Sequence, residues 1–137
     1  MAVPKKLADV LAPFKSLPDE LKTQFLLEYA ARMPEAPGEA EPVEECQTPF
    51  AVRVDLDEEG RVRLAFRVPP SAPTVRAFAG MLAEGLGGLT PEEVLAVPPD
   101  FYRGSGLETV ITPRRLNGLE AALRRIQDQL KKKLGAA

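Results

Sequence analysis

The sequence predicts an α+β fold: a small antiparallel sheet packed on one face by helices. Three observations carry this. Two adjacent runs alternate with period two. Phe50, Val52, Val54 and Leu56 interleave with Arg53 and Asp55, and Val62, Leu64, Phe66 and Val68 interleave with Arg61, Arg63 and Arg67. Before and after these runs, apolar residues recur every three or four positions, which is the spacing of a buried helix face. Proline and glycine, 14 and 10 in number, fall between the periodic stretches, where they end elements.

The elements follow in order. Leu7, Val10, Leu11 and Phe14 predict a short helix over residues 4–15. Ser16 has the chemistry of an N-cap, and Leu21, Phe25, Tyr29 and Met33 predict an amphipathic helix over 17–33, ended by Pro34. Residues 34–45 hold three prolines before Cys46 and the acids Glu35, Glu39, Glu41, Glu44 and Glu45 without one base, which predicts a solvated, mobile connector. Asp57-Glu58-Glu59-Gly60 joins the two period-two runs as a hairpin, and Pro69 to Pro73 stops the second strand. Val75, Phe78, Leu82 and Leu86 line the next helix, which Gly87-Gly88 ends. Thr90-Pro91-Glu92-Glu93 is a capping box opening a short helix to Val97, and Phe101 and Tyr102 fall on one more turn. Thr112-Pro113 opens the last helix, with Leu116, Leu119, Leu123, Ile126 and Leu130 as its core stripe and Lys131, Lys132 and Lys133 at its cation-favouring end.

A chain of 137 residues predicts a single domain over 1–137. Its apolar share of 45% and charged share of 28% are those of an ordinary globular protein. A net charge of −2 argues against a nucleic-acid partner, and no apolar run reaches the roughly 18 residues of a membrane span. The start carries Lys5 and Lys6 with no apolar stretch behind them, so no secretory signal is expected. With one thiol, the expectation is the reducing cytoplasm.

The chemistry narrows to Cys46, the only cysteine in a chain without histidine. A structural zinc site, which takes about four N or S ligands, cannot be built from it. A Cys–His nucleophile pair lacks its base, and an intramolecular disulfide lacks its partner. Cys46 either packs as a small hydrophobe or exchanges sulfur with another molecule. Its neighbours Glu44, Glu45, Gln47 and Thr48 are polar, which favours exchange. Carboxylates beside a thiol disfavour the thiolate, so Glu44 and Glu45 act against unaided attack on small substrates and suit a thiol that reacts inside a partner's site.

Two further features stand out. Arg114 and Arg115 occupy the first turn of the last helix, against its dipole, where acids are usual. Such arginines either reach to solvent or build, with free backbone N–H groups, a site for an anion or carboxylate. Asn117-Gly118 then falls inside that helix, where glycine costs about 1 kcal/mol against alanine unless close packing requires it.

These features occur together in one family. The chain resembles SufE-like proteins, the sulfur acceptors of iron–sulfur cluster assembly, over residues 7–130. Glu45-Cys46-Gln47-Thr48 resembles the family's Gly-Cys-Gln-Ser motif. Val75-Arg76-Ala77-Phe78 is similar to the start of its middle helix, and Leu89-Thr90-Pro91-Glu92-Glu93 to its Thr-Pro-Glu-Glu helix start. Phe101 matches an aromatic ahead of Gly106-Leu107, and Ile111 to Leu119 resembles its Leu-Thr-Pro-Ser-Arg-Ser-Asn-Gly-Leu stretch. Glu45 stands where the family usually has glycine, and Arg114 where it has serine.

The resemblance implies the α+β fold shared with iron–sulfur scaffold proteins. It implies Cys46 as persulfide acceptor, with Glu45, Gln47, Arg114, Arg115, Asn117 and Gly118 supporting it or meeting the partner. That partner is a cysteine desulfurase, which carries the pyridoxal phosphate; no cofactor or metal of the chain's own is expected. A downstream iron–sulfur scaffold or other acceptor then takes the sulfur. The expected function is a sulfur carrier that also stimulates the desulfurase, not an enzyme by itself. The alternative is an interaction module that activates a desulfurase without carrying sulfur. A thiol hydrolase lacks its base, and one thiol is too few for a cluster held within one chain.

Overall fold

The structure is a computed structural model that describes residues 3–43 and 50–135. Helix α1 (Lys5–Ser16) is followed by α2 (Asp19–Glu28), which tightens into a 3-10 turn over Tyr29–Arg32. A three-stranded antiparallel sheet comes next, in the order β1 (Glu41–Pro42), β2 (Ala51–Leu56), β3 (Val62–Arg67). Helices α3 (Pro73–Leu86), α4 (Pro91–Leu95) and α5 (Pro113–Gly135) complete the chain, with a 3-10 turn at Leu107–Thr109. Among the described residues no helix is long and apolar enough to cross a membrane.

The β2–β3 hairpin has the alternation its sequence demands. Val52, Val54, Val62, Leu64 and Phe66 are buried, while Arg53, Arg63 and Arg67 stand on the other face. Val52 pairs with Phe66 on the buried face. The turn closes on Asp57, whose side chain accepts from the N–H groups of Glu59 and Arg61, with Gly60 at φ +80°. Helices α3 and α5 bury the stripes expected of them, down to Leu86 and Leu130 at 0% exposure. The capping box is formed: Thr90 Oγ1 accepts from Glu93 N–H at 3.2 Å, and Thr90 N–H donates to the Glu93 carboxylate at 3.0 Å.

The second helix differs from expectation. Ser16 closes α1 instead of capping α2, and the residue ahead of α2 is Pro18, which offers no side-chain cap. The buried stripe is Lys22, Leu26, Tyr29 and Met33, so Leu21 is 44% exposed and Lys22 only 6%. The ammonium of Lys22 is tolerated inside because it donates to Asp19 Oδ1 at 2.9 Å and to Thr109 Oγ1 at 3.0 Å. Asp19 is held below the usual carboxylate range by the bond from Lys22 and then by that from Thr109.

The acidic connector is also not the free arm that its composition suggests. Through residue 43 it is a strap pinned to both edges of the sheet. At the β3 edge, Phe66 N–H donates to Pro34 O at 2.8 Å and Ala36 N–H to Phe66 O at 2.9 Å. At the β2 edge, Glu41 pairs with Val52 and Pro42 with Ala51. Between these attachments the chain crosses three strand spacings, roughly 14 Å. The five steps from Ala36 to Glu41 reach about 17 Å when extended, so the crossing is nearly taut. Two arginines, one from β3 and one from α3, hold it. Arg67 Nη2 donates to Ala36 O and to Gly38 O, and Arg76 bridges Glu35 (3.1 Å) and Val68 O (2.9 Å). Gly38 passes so close over Arg53 that a Cβ there would lie 2.6 Å from the guanidinium. Of the described acids, Glu35 pairs with Arg76 and Glu41 with Arg125, both from helices elsewhere in the chain, while Glu39 stays exposed as expected.

Candidate functional site

Residues 44–49, which contain Cys46, Glu45 and Gln47 as well as Glu44 and Thr48, lie outside the described residues. Their anchors are well defined. Val43 N–H donates to Phe50 O at 2.9 Å, and both side chains are buried, at 1% and 7% exposure.

Helix α5 runs along this edge of the sheet in the same direction as β2, touching it once per turn. Gly118 and Ala122 share an apolar seam with Phe50, Phe66, Phe78 and Leu119, enclosing a void of only about 10 Å³. One turn on, Arg125 Nη1 meets Glu41 Oε1 at 3.2 Å. One turn further, Gln129 Nε2 donates to Val52 O at 2.9 Å while its Oε1 accepts from Val54 N–H at 3.0 Å. At the end Lys133 approaches Asp55 at 3.8 Å. Gly118, Ala122, Arg125 and Gln129 thus form a single helix face at steps of four, three and four. On the opposite flank, Gln127 donates to the carbonyls of Val94 and Val97.

This register locates the remaining residues of interest. Arg114 and Arg115 precede Gly118 by about one turn, some 5 Å along the axis. They therefore lie at the Phe50 end of β2, where residues 44–49 join it. Both are exposed, and neither has an ion-pair partner among the described residues. Thr112 Oγ1 accepts from Arg115 N–H at 3.3 Å and caps the helix. Asn117 is exposed and Gly118 buried, where it lines the small void beside Phe50.

The segment leading into α5 is braced from behind. Gly106, at φ +100°, packs against the Phe14 carbonyl, where a Cβ would come within 2.5 Å. Glu108 accepts from Gly104 N–H and Gly106 N–H; burial raises its pKa, but these backbone bonds leave it below the ordinary glutamate range. Tyr102 donates to Glu120 on α5, and its hydroxyl is pushed up to about 12, by burial first and by that carboxylate second.

The family model for SufE, described as an iron–sulfur metabolism associated domain, matches residues 8–130. The chain belongs to the SufE family. An uncharacterised SufE-like protein of Mycobacterium tuberculosis is 42% identical over 135 residues, covering 95% of this chain and 94% of its own. A Plasmodium vivax protein named cysteine desulfuration protein SufE is 28% identical over 116 residues, which are 82% of this chain and 48% of that one. The solution structure of a hypothetical protein from Thermus thermophilus superposes with a TM-score of 0.89 at 60% identity, covering 97% of this chain and 98% of that one. The SufE-like fold expected from the sequence is therefore the one observed.

Of the sequence-derived residues, the structure brings Gly118 against Phe50 and sets Arg114, Arg115 and Asn117 on the helix turns beside it. The reading missed Val43, Phe50, Glu41, Arg125 and Gln129. A signal was present: Arg125 and Gln129 continue the Gly118–Ala122 face, where polar side chains on a sheet-facing stripe need partners.

Proposed function

We propose that this SufE-family chain is a sulfur carrier that accepts persulfide sulfur from a cysteine desulfurase on Cys46. The observation that carries the reading is the family match over residues 8–130, in a chain whose only cysteine lies between the joined anchors Val43 and Phe50. The name of the Plasmodium vivax relative supports a desulfurase as the partner. The Cys46 thiolate attacks the outer sulfur of the partner's cysteine persulfide. A new S–S bond forms on Cys46, the old S–S bond breaks, and the partner's cysteine leaves as thiolate. No external oxidant or reductant is consumed. The loaded sulfur then passes to a scaffold or another acceptor for iron–sulfur assembly.

Nothing in this step requires the chain to be an enzyme by itself. Acids next to the thiol in sequence, Glu44 and Glu45, disfavour the thiolate, and the partner supplies the field that activates it. Arg114 and Arg115, exposed and without an ion-pair partner among the described residues, offer a bidentate grip for a carboxylate on the desulfurase.

Stimulation of a desulfurase by two variants tests the proposal. Cys46→Ser abolishes stimulation if the chain carries sulfur; a variant that still stimulates would instead make the chain an activator with a passive cysteine. Arg115→Ala weakens stimulation while its melting temperature stays within about 4 °C of wild type, because the residue opposes the helix dipole and removing it does not harm the helix.

A further inference from the structure

We infer that Lys22 is a positioning residue: through Thr109 it fixes the turn that leads into α5, and so the first helical turn that carries Arg114 and Arg115. The inference rests on the reading above in which those arginines grip the desulfurase. Among the described residues, Lys22 is the one charged side chain in the core, at 6% exposure. Burying an ammonium costs stability unless its donors are used. Buried ion pairs often give way to apolar residues of similar size with little or no loss of stability. A methionine would therefore serve the α2 stripe as well, and the charge of Lys22 answers a need other than packing.

That need lies in the segment ahead of α5. Among the described residues, the hydrogen bonds between α2 and this segment all meet at Thr109 Oγ1. It accepts from Lys22 Nζ at 3.0 Å and lies 3.0 Å from Asp19 Oδ1, to which Lys22 also donates at 2.9 Å. The segment moves as one unit, because Thr109 N–H bonds to Gly106 O, and Val110 N–H and Ile111 N–H both bond to Leu107 O. Leu107 and Ile111 are buried and set its depth. Thr109 itself is exposed, and residues 112–115 are all exposed, so no side chain enters the core between Ile111 and Leu116. The first turn of α5 is thus aimed by Leu116 at one end and by the Gly106–Ile111 unit at the other. Lys22 holds that unit to the helical pair in front of it. Released from Lys22, the two arginines would cover a wider range of positions, and ordering them would fall on the moment of docking.

The test has two arms. In the free protein, Lys22→Met keeps the melting temperature within about 4 °C of wild type, because the Asp19 left behind is exposed and hydrated. It speeds amide hydrogen exchange at Ile111 about fivefold, the effect of losing one hydrogen bond, with exchange in the β2–β3 hairpin unchanged. With a desulfurase, Lys22→Met raises the concentration for half-maximal stimulation by about the same factor and leaves the maximal rate unchanged. Lys22→Arg, which keeps charge and donors, recovers part of both. Thr109→Val, at an exposed position, cuts every bond between α2 and the unit and does at least as much; it carries the test if Lys22→Met folds poorly. Lys15→Met, the loss of an exposed lysine, changes nothing. In an Arg115→Ala background, Lys22→Met adds less than it does to wild type, because a residue it positions is gone. Unchanged Ile111 exchange, a fully additive pair, or an equal effect of Lys15→Met would each overturn the assignment. If Arg115→Ala stimulates like wild type, the grip reading falls and this assignment with it. If Arg115→Ala is weak while Lys22→Met and Thr109→Val stimulate like wild type, this assignment alone falls.

Discussion

The β2–β3 hairpin and the strap over residues 34–43 cover the same two strands and are held by opposite means. The hairpin is held by its own alternation: every second side chain enters the core, and Val52 and Phe66 pair there with 0% exposure. The strap carries one large buried side chain, Val43 at 1%, and is otherwise held by backbone bonds at its two ends and by charges borrowed from distant elements. Arg67 comes from β3, Arg76 from α3 and Arg125 from α5. Apolar burial of a large side chain is worth about 1.5–3 kcal/mol, whereas an exposed ion pair is worth about 0–1. The hairpin therefore supplies stability, and the strap is the softer element that delivers the chain to Val43 and the cysteine segment.

Substitutions in the two regions sharpen this contrast. Phe66→Ala opens a cavity under the buried face of the hairpin and costs about 3–5 kcal/mol, lowering the melting temperature by more than about 10 °C. A loss of only a few degrees in a thermal melt would mean that the hairpin is not the stability centre. Arg67→Ala removes the bonds to Ala36 O and Gly38 O and costs less than about 1 kcal/mol overall. Its signature is local: exchange of Ala36 N–H rises while core amides of β2 and α3 keep their protection. A global loss as large as that of Phe66→Ala would erase the distinction between the two regions.

The smallest expected effect is alkaline. Tyr102 has a folded pKa of about 12, raised above the ordinary tyrosine value of 10. Its contribution to stability is thus fully present below pH 10 and is lost as pH rises from 10 through 12. Tyrosinate absorbance of the folded protein should rise later than that of the unfolded chain, and Tyr102→Phe should flatten the fall in stability over that window. A normal titration near pH 10 with the fold intact would show that the burial of Tyr102 and its Glu120 contact do not hold in solution.

What was legible in the sequence follows from the same contrast. The hairpin, the α3 and α5 stripes and the Thr90–Glu93 cap are set by neighbours within a few residues, and each was found where it was expected. The start of α2 was misread because Lys22, a cation by composition, turns inward to partners at Asp19 and at Thr109, 87 positions away. The strap through residue 43 was misread because acids without a local base look unattached until Arg76 reaches Glu35, Arg125 reaches Glu41 and Arg67 reaches the Ala36 and Gly38 carbonyls from other elements. Around the candidate site, Arg114, Arg115 and Gly118 were visible because each breaks a local helix rule. Glu41, Arg125 and Gln129 were not, because each obeys local rules and acquires its role only through contacts with distant residues.

The central claim is that Cys46 carries sulfur, and intact mass measures it directly. The protein is mixed with a candidate desulfurase and free cysteine, and its mass is read before and after treatment with a thiol reductant. The account predicts a gain of one sulfur, about 32 Da, that the reductant removes and that Cys46→Ser never acquires. A chain whose mass stays unchanged while it still stimulates the desulfurase, or an added sulfur that survives in Cys46→Ser, would contradict it.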